Sequence, residues 1–153
     1  PFFVTHDIRF PDYSYRGEVM PSPCVSLAVA YSGDIQIELI HQADDAPSAY
    51  TEFRAAGRSG LHHYSSWFAD RGEYEATRSW ALAQGFRIVM ESRPETGIRL
   101  VYFETADLAA TCFELSEAAI PAVAAGMSQV QRICADWDGS KPLRTSADLR
   151  AAG

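Results

Sequence analysis

The chain has 153 residues, of which 47% are hydrophobic and 12% aromatic, enough for one globular domain or two small halves around a common core. Thirteen basic and 20 acidic residues give a formal net charge of −7, which argues against a nucleic-acid partner because phosphate binding needs a basic surface. The sequence shows no signal peptide, no apolar run near the ~20 residues of a membrane span and no CxxC pair among its three cysteines, so we expect a cytoplasmic protein without a membrane partner.

Short apolar segments separated by turn residues predict a mixed α+β chain. Strands are predicted over residues 2–10, 24–31, 35–41, 61–68, 87–92, 98–105 and 111–116. Helices are predicted over residues 48–56, 70–84 and 118–135. Residues 11–23 are rich in Tyr, Pro and Ser and predict a long loop, and the polar chain from Trp137 onward predicts an extended tail.

Two of the predicted helices carry recognisable signals at their ends. Ser48 is a typical N-cap for the first helix, and Gly85 follows the second helix, where glycine commonly ends one. Tyr74, Trp80 and Leu82 are the candidate core residues of the second helix.

Two strand-like segments resemble each other, and each carries one carboxylate. Glu38 lies in the segment Ile-Gln-Ile-Glu-Leu-Ile and Glu114 in the segment Cys-Phe-Glu-Leu-Ser, where an unpaired carboxylate is costly to bury. The pair His62-His63 lies between them, also in strand-like sequence. Carboxylates and a histidine that point from different strands into one cleft suit a hard or borderline divalent metal. The sequence therefore predicts a metal site in an internally duplicated β-rich domain.

A shift of 76 positions relates the two halves, because it places Glu38 on Glu114 and Val25 on Val101. The second half reads strand, helix and three strands, whereas the first half supplies three strands only. The duplication thus predicts an opening strand and helix upstream of Pro1, about 20–30 residues by typical element lengths. The predicted organisation is a first module at 1–41, a linker at 42–60, a second module at 61–117, and a C-terminal helix and tail at 118–153.

The repeated unit and its acids resemble the vicinal oxygen chelate superfamily, which includes glyoxalase I, methylmalonyl-CoA epimerase, bleomycin-resistance proteins and extradiol dioxygenases. Glu38-Leu39-Ile40, Pro47-Ser48 and Gly60-Leu61-His62-His63 are similar to the "ELL…SP…GLHH" pattern of its epimerase-like, glyoxalase-4-type branch, and Tyr15-Arg16-Gly17 also looks like its relatives. The resemblance covers residues 1–117. It implies an α+β fold of tandem βαβββ modules that form a curved, partly open β-barrel-like cleft, with a C-terminal helical tail.

The resemblance also implies roles for particular residues. Glu38, His63 and Glu114 would be ligands of a divalent metal (Zn, Ni, Co, Mn or Fe), with a fourth ligand on the missing strand. Glu114 would in addition be the catalytic base, and Glu18 is the other candidate base, on position alone. We expect His62 to have a packing or hydrogen-bonding role outside the cleft, because neighbouring residues in a strand point to opposite faces.

Three functions follow from this resemblance. The first is a metal-dependent isomerase, epimerase or lyase that acts at a carbon next to a carbonyl, through an enolate that the metal stabilises. Its substrate would be a small carbonyl or thioester compound. The second is a non-catalytic small-molecule binding protein, similar to the drug-resistance members. The third is an extradiol-type dioxygenase, which would use two histidines and one carboxylate. The sequence leaves the existence of a homodimer open.

Overall fold

The chain is an α+β protein in the computed structural model, which describes residues 1–105 and 110–151. Its strands are β1 (Phe2–Ile8), β2 (Tyr13–Tyr15), β3 (Glu18–Val19), β4 (Val25–Ser32), β5 (Ile35–Gln42), β6 (His63–Phe68), β7 (Ile88–Ser92), β8 (Leu100–Glu104), β9 (Cys112–Glu117) and β10 (Leu143–Thr145). Its helices are α1 (Ala49–Ala55), α2 (Arg71–Ala83), α3 (Pro121–Ala135) and α4 (Ser146–Ala151). The predicted fold class is confirmed, and the strands belong to two separate sheets.

The first of two compact units consists of Pro1–Arg9, Cys24–Ala43 and Pro121–Gly153. Its sheet has the strand order β10-β1-β4-β5, and β4 and β5 form an antiparallel hairpin of eight residue pairs. Helix α3 packs against β4. The side chains of β5 alternate between two faces, since Ile35, Ile37 and Leu39 are 70%, 40% and 55% exposed while the residues between them are half-buried.

The C-terminal tail is more ordered than the expected extended segment. Strand β10 pairs in parallel with β1, and α4 follows it directly. Three-residue strands carry too little periodic pattern to be recognised without their partner, which explains the wrong expectation. No helix in the described part of the chain is both long and apolar enough to cross a membrane.

The second unit consists of Phe10–Pro23 and Asp44–Ile120. Its sheet has the order β3-β2-β7-β8-β9-β6, in which β7, β8 and β9 are antiparallel neighbours and β6 pairs in parallel with β9. Helix α2 connects β6 to β7 and contacts β6 and β9, so β6 to β9 form one βαβββ arrangement. The buried cluster on the helix side of this sheet contains Tyr74, Ala81, Val101, Phe103 and Leu115.

Helix α2 begins at the N-cap Asp70, whose carboxylate accepts a hydrogen bond from the backbone N–H of Glu73 at 2.9 Å. Tyr74 is fully buried, as predicted, but Trp80 and Leu82 are 58% and 41% exposed. The expectation that these two belong to the core is wrong. They flank the buried Ala81 at about 100° to either side on the helix, and so they leave the buried stripe.

Residues 11–23 are not simply a loop, because they contain β2 and β3. These two strands form a hairpin whose turn residues Arg16 and Gly17 have φ angles of 48° and 85°. A tight turn with both central residues at positive φ matches the right-handed twist of the strands that it joins. The second partner of β2 is β7, a pairing distant in sequence that no local pattern predicts.

The register of the two hairpins corrects the alignment of the halves. Glu38 pairs with Val29, and Glu114 pairs with Tyr102. If Glu38 is aligned with Glu114, as a shift of 76 requires, the register relates their partner strands by a shift of 73. Val25 is then out of step with Val101. The cause is a connection of different length between the two strands of each hairpin.

Candidate functional site

The centre of the site in the second unit is a contact between His63 and Glu114. His63 is the first residue of β6, and its parallel pairing opposite Cys112 puts it near Glu114, two residues further along β9. The imidazole Nε2 lies 3.1 Å from the carboxylate Oε2, and the two side chains are 10% and 7% exposed. A carboxylate as buried as this needs a partner that offsets its lost hydration, and His63 is that partner.

Hydroxyl groups complete the surroundings of this pair. The Ser116 hydroxyl donates a short hydrogen bond to Oε1 of Glu114, from two residues further along the same strand face. The Tyr102 hydroxyl lies 3.5 Å from Nε2 of His63 and 3.2 Å from the hydroxyl of Tyr50. Because Tyr102 pairs with Glu114 across the strands, the register of β8 and β9 places its ring over the site.

Helix α1 forms the other side of the site. It begins at the buried Ser48 in a capping box with Thr51, in which each side chain binds the other's backbone N–H. The carbonyl of Ala49, in its first turn, lies 3.2 Å from Nε2 of His62. The rings of Tyr50 and Phe53 lie 5.2 and 5.0 Å from the imidazole of His62, centroid to centroid.

His62 is bonded to His63 through the other ring nitrogen, with 3.0 Å between the two Nδ1 atoms. Burial, and after it the neighbouring charge of His63, lowers the pKa of His62 from 6.5 to about 4. His62 is therefore neutral near neutral pH and carries one ring proton.

The hydrogen-bond partners assign the position of each imidazole proton. Nε2 of His62 faces a carbonyl oxygen and must donate, so its Nδ1 accepts. Nδ1 of His63 must then donate to it, which leaves Nε2 of His63 directed at Glu114. One further proton lies between this nitrogen and the Glu114 carboxyl, because a contact of 3.1 Å between two acceptors would be repulsive. The pair therefore holds a single shared proton.

The expected separation of His62 from His63 is wrong. Strand alternation does not apply to His62 because β6 begins at His63, and the preceding residue turns its ring towards the same site. Sequence reasoning also missed Tyr50 and Ser116. Ser116 carried a usable signal, because it is two residues from Glu114 in a strand. The contact of Tyr50 with Tyr102 depends on the placement of α1 and had no signal.

Glu38 and Glu18 belong to other parts of the chain. Glu38 is half-buried on β5 in the first unit, so its convergence with His63 and Glu114 stays a prediction. Glu18 is exposed on β3, and β2, β7 and β8 lie between that strand and β9 in the sheet order. Its proposed role as a base therefore still depends on its sequence position alone.

Among the described residues of the second unit, His63 and Glu114 are two neighbouring donors that could bind a metal ion. Nε2 of His63 and Oε2 of Glu114 have the separation expected for neighbouring ligands with bonds of ~2.0–2.2 Å. Protein sites for such ions use three or four ligands, however. The described residues contain no cluster of three or more His, Cys, Asp or Glu side chains that could hold a metal. The described residues of the second unit therefore bring together two donors, fewer than a resident metal needs.

The second unit is a βαβββ sheet with a buried histidine–glutamate pair on one face. The sequence model of the Glyoxalase/Bleomycin resistance protein/Dioxygenase superfamily matches residues 4–103. The match covers about two thirds of the chain, and the protein belongs to this superfamily. The matched region contains Glu18, Glu38 and His63 and ends before Glu114. Comparison with curated proteins found no match.

Proposed function

We propose that this protein is an enzyme that moves a proton at the carbon next to a carbonyl group of a small molecule, as an isomerase, epimerase or lyase. The observation that supports this most is the buried 3.1 Å contact between His63 and Glu114. One shared proton makes the pair a proton acceptor and a proton donor at the same place, which general acid–base catalysis requires.

The proposed roles follow from the hydrogen bonds. With the shared proton on Nε2 of His63, Glu114 is a carboxylate and takes the proton from the substrate carbon. The electron pair left behind moves into the carbonyl to give an enolate, and the Tyr102 hydroxyl is the proposed hydrogen-bond donor to its oxygen. Return of the proton from Glu114 to the substrate completes an isomerisation in which no atom is gained or lost.

A metal-dependent form of this activity is what the family resemblance implies, with Glu38, His63 and Glu114 as ligands of Zn, Ni, Co, Mn or Fe. In that form the ion would take the place of the shared proton, because Nε2 of His63 cannot bind both, and it would supply Lewis-acid polarisation of the carbonyl. Because the described residues of the second unit bring two donors together, we propose that metal dependence requires Glu38. Elemental analysis of the purified protein and of Glu38→Gln tests this. Stoichiometric metal in the wild type and its loss in Glu38→Gln would support the proposal. An active wild-type protein without metal would contradict it.

The function itself is tested by the exchange of solvent deuterium into a panel of small carbonyl and thioester compounds. Glu114→Gln keeps the shape of the side chain but removes its charge, so exchange should fall by the ~10²–10⁴-fold typical of lost acid–base help. Glu95→Gln, an exposed carboxamide substitution in the same unit, is the control and should leave the rate unchanged. Full exchange by Glu114→Gln would refute the proposed role.

The second candidate is a binding protein that does no chemistry. It is favoured by the aromatic rings of Tyr50, Phe53 and Tyr102 around the imidazoles, since apolar walls with few polar groups are typical of ligand sites. Saturable binding of a compound without exchange would favour this function.

We do not propose the dioxygenase, because Nε2 of His62 is directed at the Ala49 carbonyl and not at a position shared with Glu114. A homodimer stays a prediction that analytical ultracentrifugation would test.

A further inference from the structure

Arg16, at the tip of the β2–β3 hairpin, reaches acidic side chains on two other elements of the second unit. Its Nε and Nη2 donate to the two carboxylate oxygens of Glu52 on α1 at 2.7 and 2.8 Å. Its Nη1 donates to Glu104 on β8 at 2.5 Å. Two parallel bonds to one carboxylate and a third to another need the planar fork of arginine, which lysine lacks.

The hairpin itself does not need an arginine at this position. Arg16 has a φ angle of 48°, in the left-handed region that favours glycine and asparagine. Either residue would fit the turn better. What Arg16 adds is therefore the set of contacts that its side chain makes.

Glu52 is held from two sides. The Tyr15 hydroxyl donates a short hydrogen bond to the same carboxylate that Arg16 binds. Although burial raises the pKa of Glu52, the hydrogen bonds from Arg16 and Tyr15 outweigh it and hold that pKa below its usual range. Glu104 is similarly shared, since Arg87 donates to its second oxygen at 2.6 Å. The Glu52 carboxylate is thus charged and fixed.

Helix α1 depends on such anchors. With seven residues it is too short to be stable alone. Three contacts between this helix and His62 lie within one turn of Glu52, through the Ala49 carbonyl and the rings of Tyr50 and Phe53. A shift of α1 would therefore move the Ala49 carbonyl, which determines which nitrogen of His62 carries the proton. The proton on Nδ1 of His63, which donates to His62, would then no longer be fixed.

We propose that Arg16 is a positioning residue for the site. By holding Glu52 it holds α1, and α1 in turn holds His62 and His63 in the tautomers that leave Nε2 of His63 on Glu114. The catalytic meaning of this role rests on the proposed function, but the contacts themselves do not.

The test is a long-range ¹⁵N–¹H spectrum of the histidine rings in the full chain, without substrate. In the wild type we expect His62 as the Nε2–H tautomer and His63 with a protonated Nδ1. Arg16→Gln should lose this pattern and give averaged ring-nitrogen shifts, and Arg16→Lys should not restore it. Because no activity is measured, this result is independent of whether Glu114→Gln loses exchange.

The matched control is Arg93→Gln. Arg93 also binds both oxygens of one carboxylate, on Glu75, at 2.8 and 2.9 Å, and is similarly exposed. This variant should keep the wild-type imidazole pattern. Unchanged signals in Arg16→Gln, full recovery in Arg16→Lys, or the same loss in Arg93→Gln would each overturn the proposal. If Arg16→Gln does not fold by circular dichroism, Glu52→Gln is measured in its place with the same expectation.

Discussion

Acidification should destabilise the folded protein through His62. Burial beside Tyr50, Phe53 and His63 lowers the pKa of His62 from 6.5 to about 4. The unfolded chain restores the ordinary value, so between these two pH values the unfolded state binds a proton that the folded state does not. The stability is therefore complete above about pH 6.5 and falls as the pH decreases towards 4, by about 3 kcal/mol in total at about 1.4 kcal/mol per pKa unit.

Urea denaturation of the wild type and of His62→Gln, at several pH values from about 4 to about 7, measures this contribution. Glutamine retains a side-chain N–H for the Ala49 carbonyl and does not titrate. The free energy of unfolding of the variant should lack the part of the pH dependence that His62 causes. If both proteins lose stability equally across this window, or if His62 titrates near 6.5 in the folded wild type, the burial argument is refuted.

Three substitutions test the packing that supports the site. Tyr74→Phe should leave the free energy of unfolding unchanged or raise it by about 1 kcal/mol, because the buried Tyr74 hydroxyl has no hydrogen-bond partner among the described residues. A loss of stability in calorimetry would contradict this. Glu117→Gln should lower the free energy of unfolding by about 2 kcal/mol, since the two oxygens of the fully buried carboxylate accept hydrogen bonds from Nε of Arg71 at 2.9 and 3.1 Å. An unchanged stability in urea denaturation would mean that the ion pair contributes nothing. Ser48→Ala should cost about 1 kcal/mol through the lost cap of α1, whereas Ser48→Gly should cost only a few tenths, and equal losses would argue against capping.

Elements with a strong local signal were predictable from the sequence. The apolar residues Ile35, Ile37 and Leu39 indicated β5, and Ser48 indicated the start of α1. Both elements were predictable because each signal lies within the few residues of the element that it predicts. The motif that ends in His63 and the strand of Glu114 were also sufficient to place both residues in one predicted site.

Features that depend on distant contacts were not predictable. Strands β2 and β10 are three residues long, and each is defined by a partner far away in the sequence. The packing and hydrogen-bonding role expected of His62 is present, but its position beside His63 was missed because it depends on where β6 begins and on where α1 packs. Ser116, the second partner of Glu114, differs from these cases, because strand alternation places the two residues on one face and made the contact predictable.

The most direct test of the central claim is a double-mutant cycle of His63→Gln and Glu114→Gln on the rate of solvent-deuterium exchange. If the two residues share one proton and act as a unit, each single variant should lose about as much rate as the double variant, because either change removes the shared function. Losses that multiply in the double variant would show two independent groups and would contradict the account.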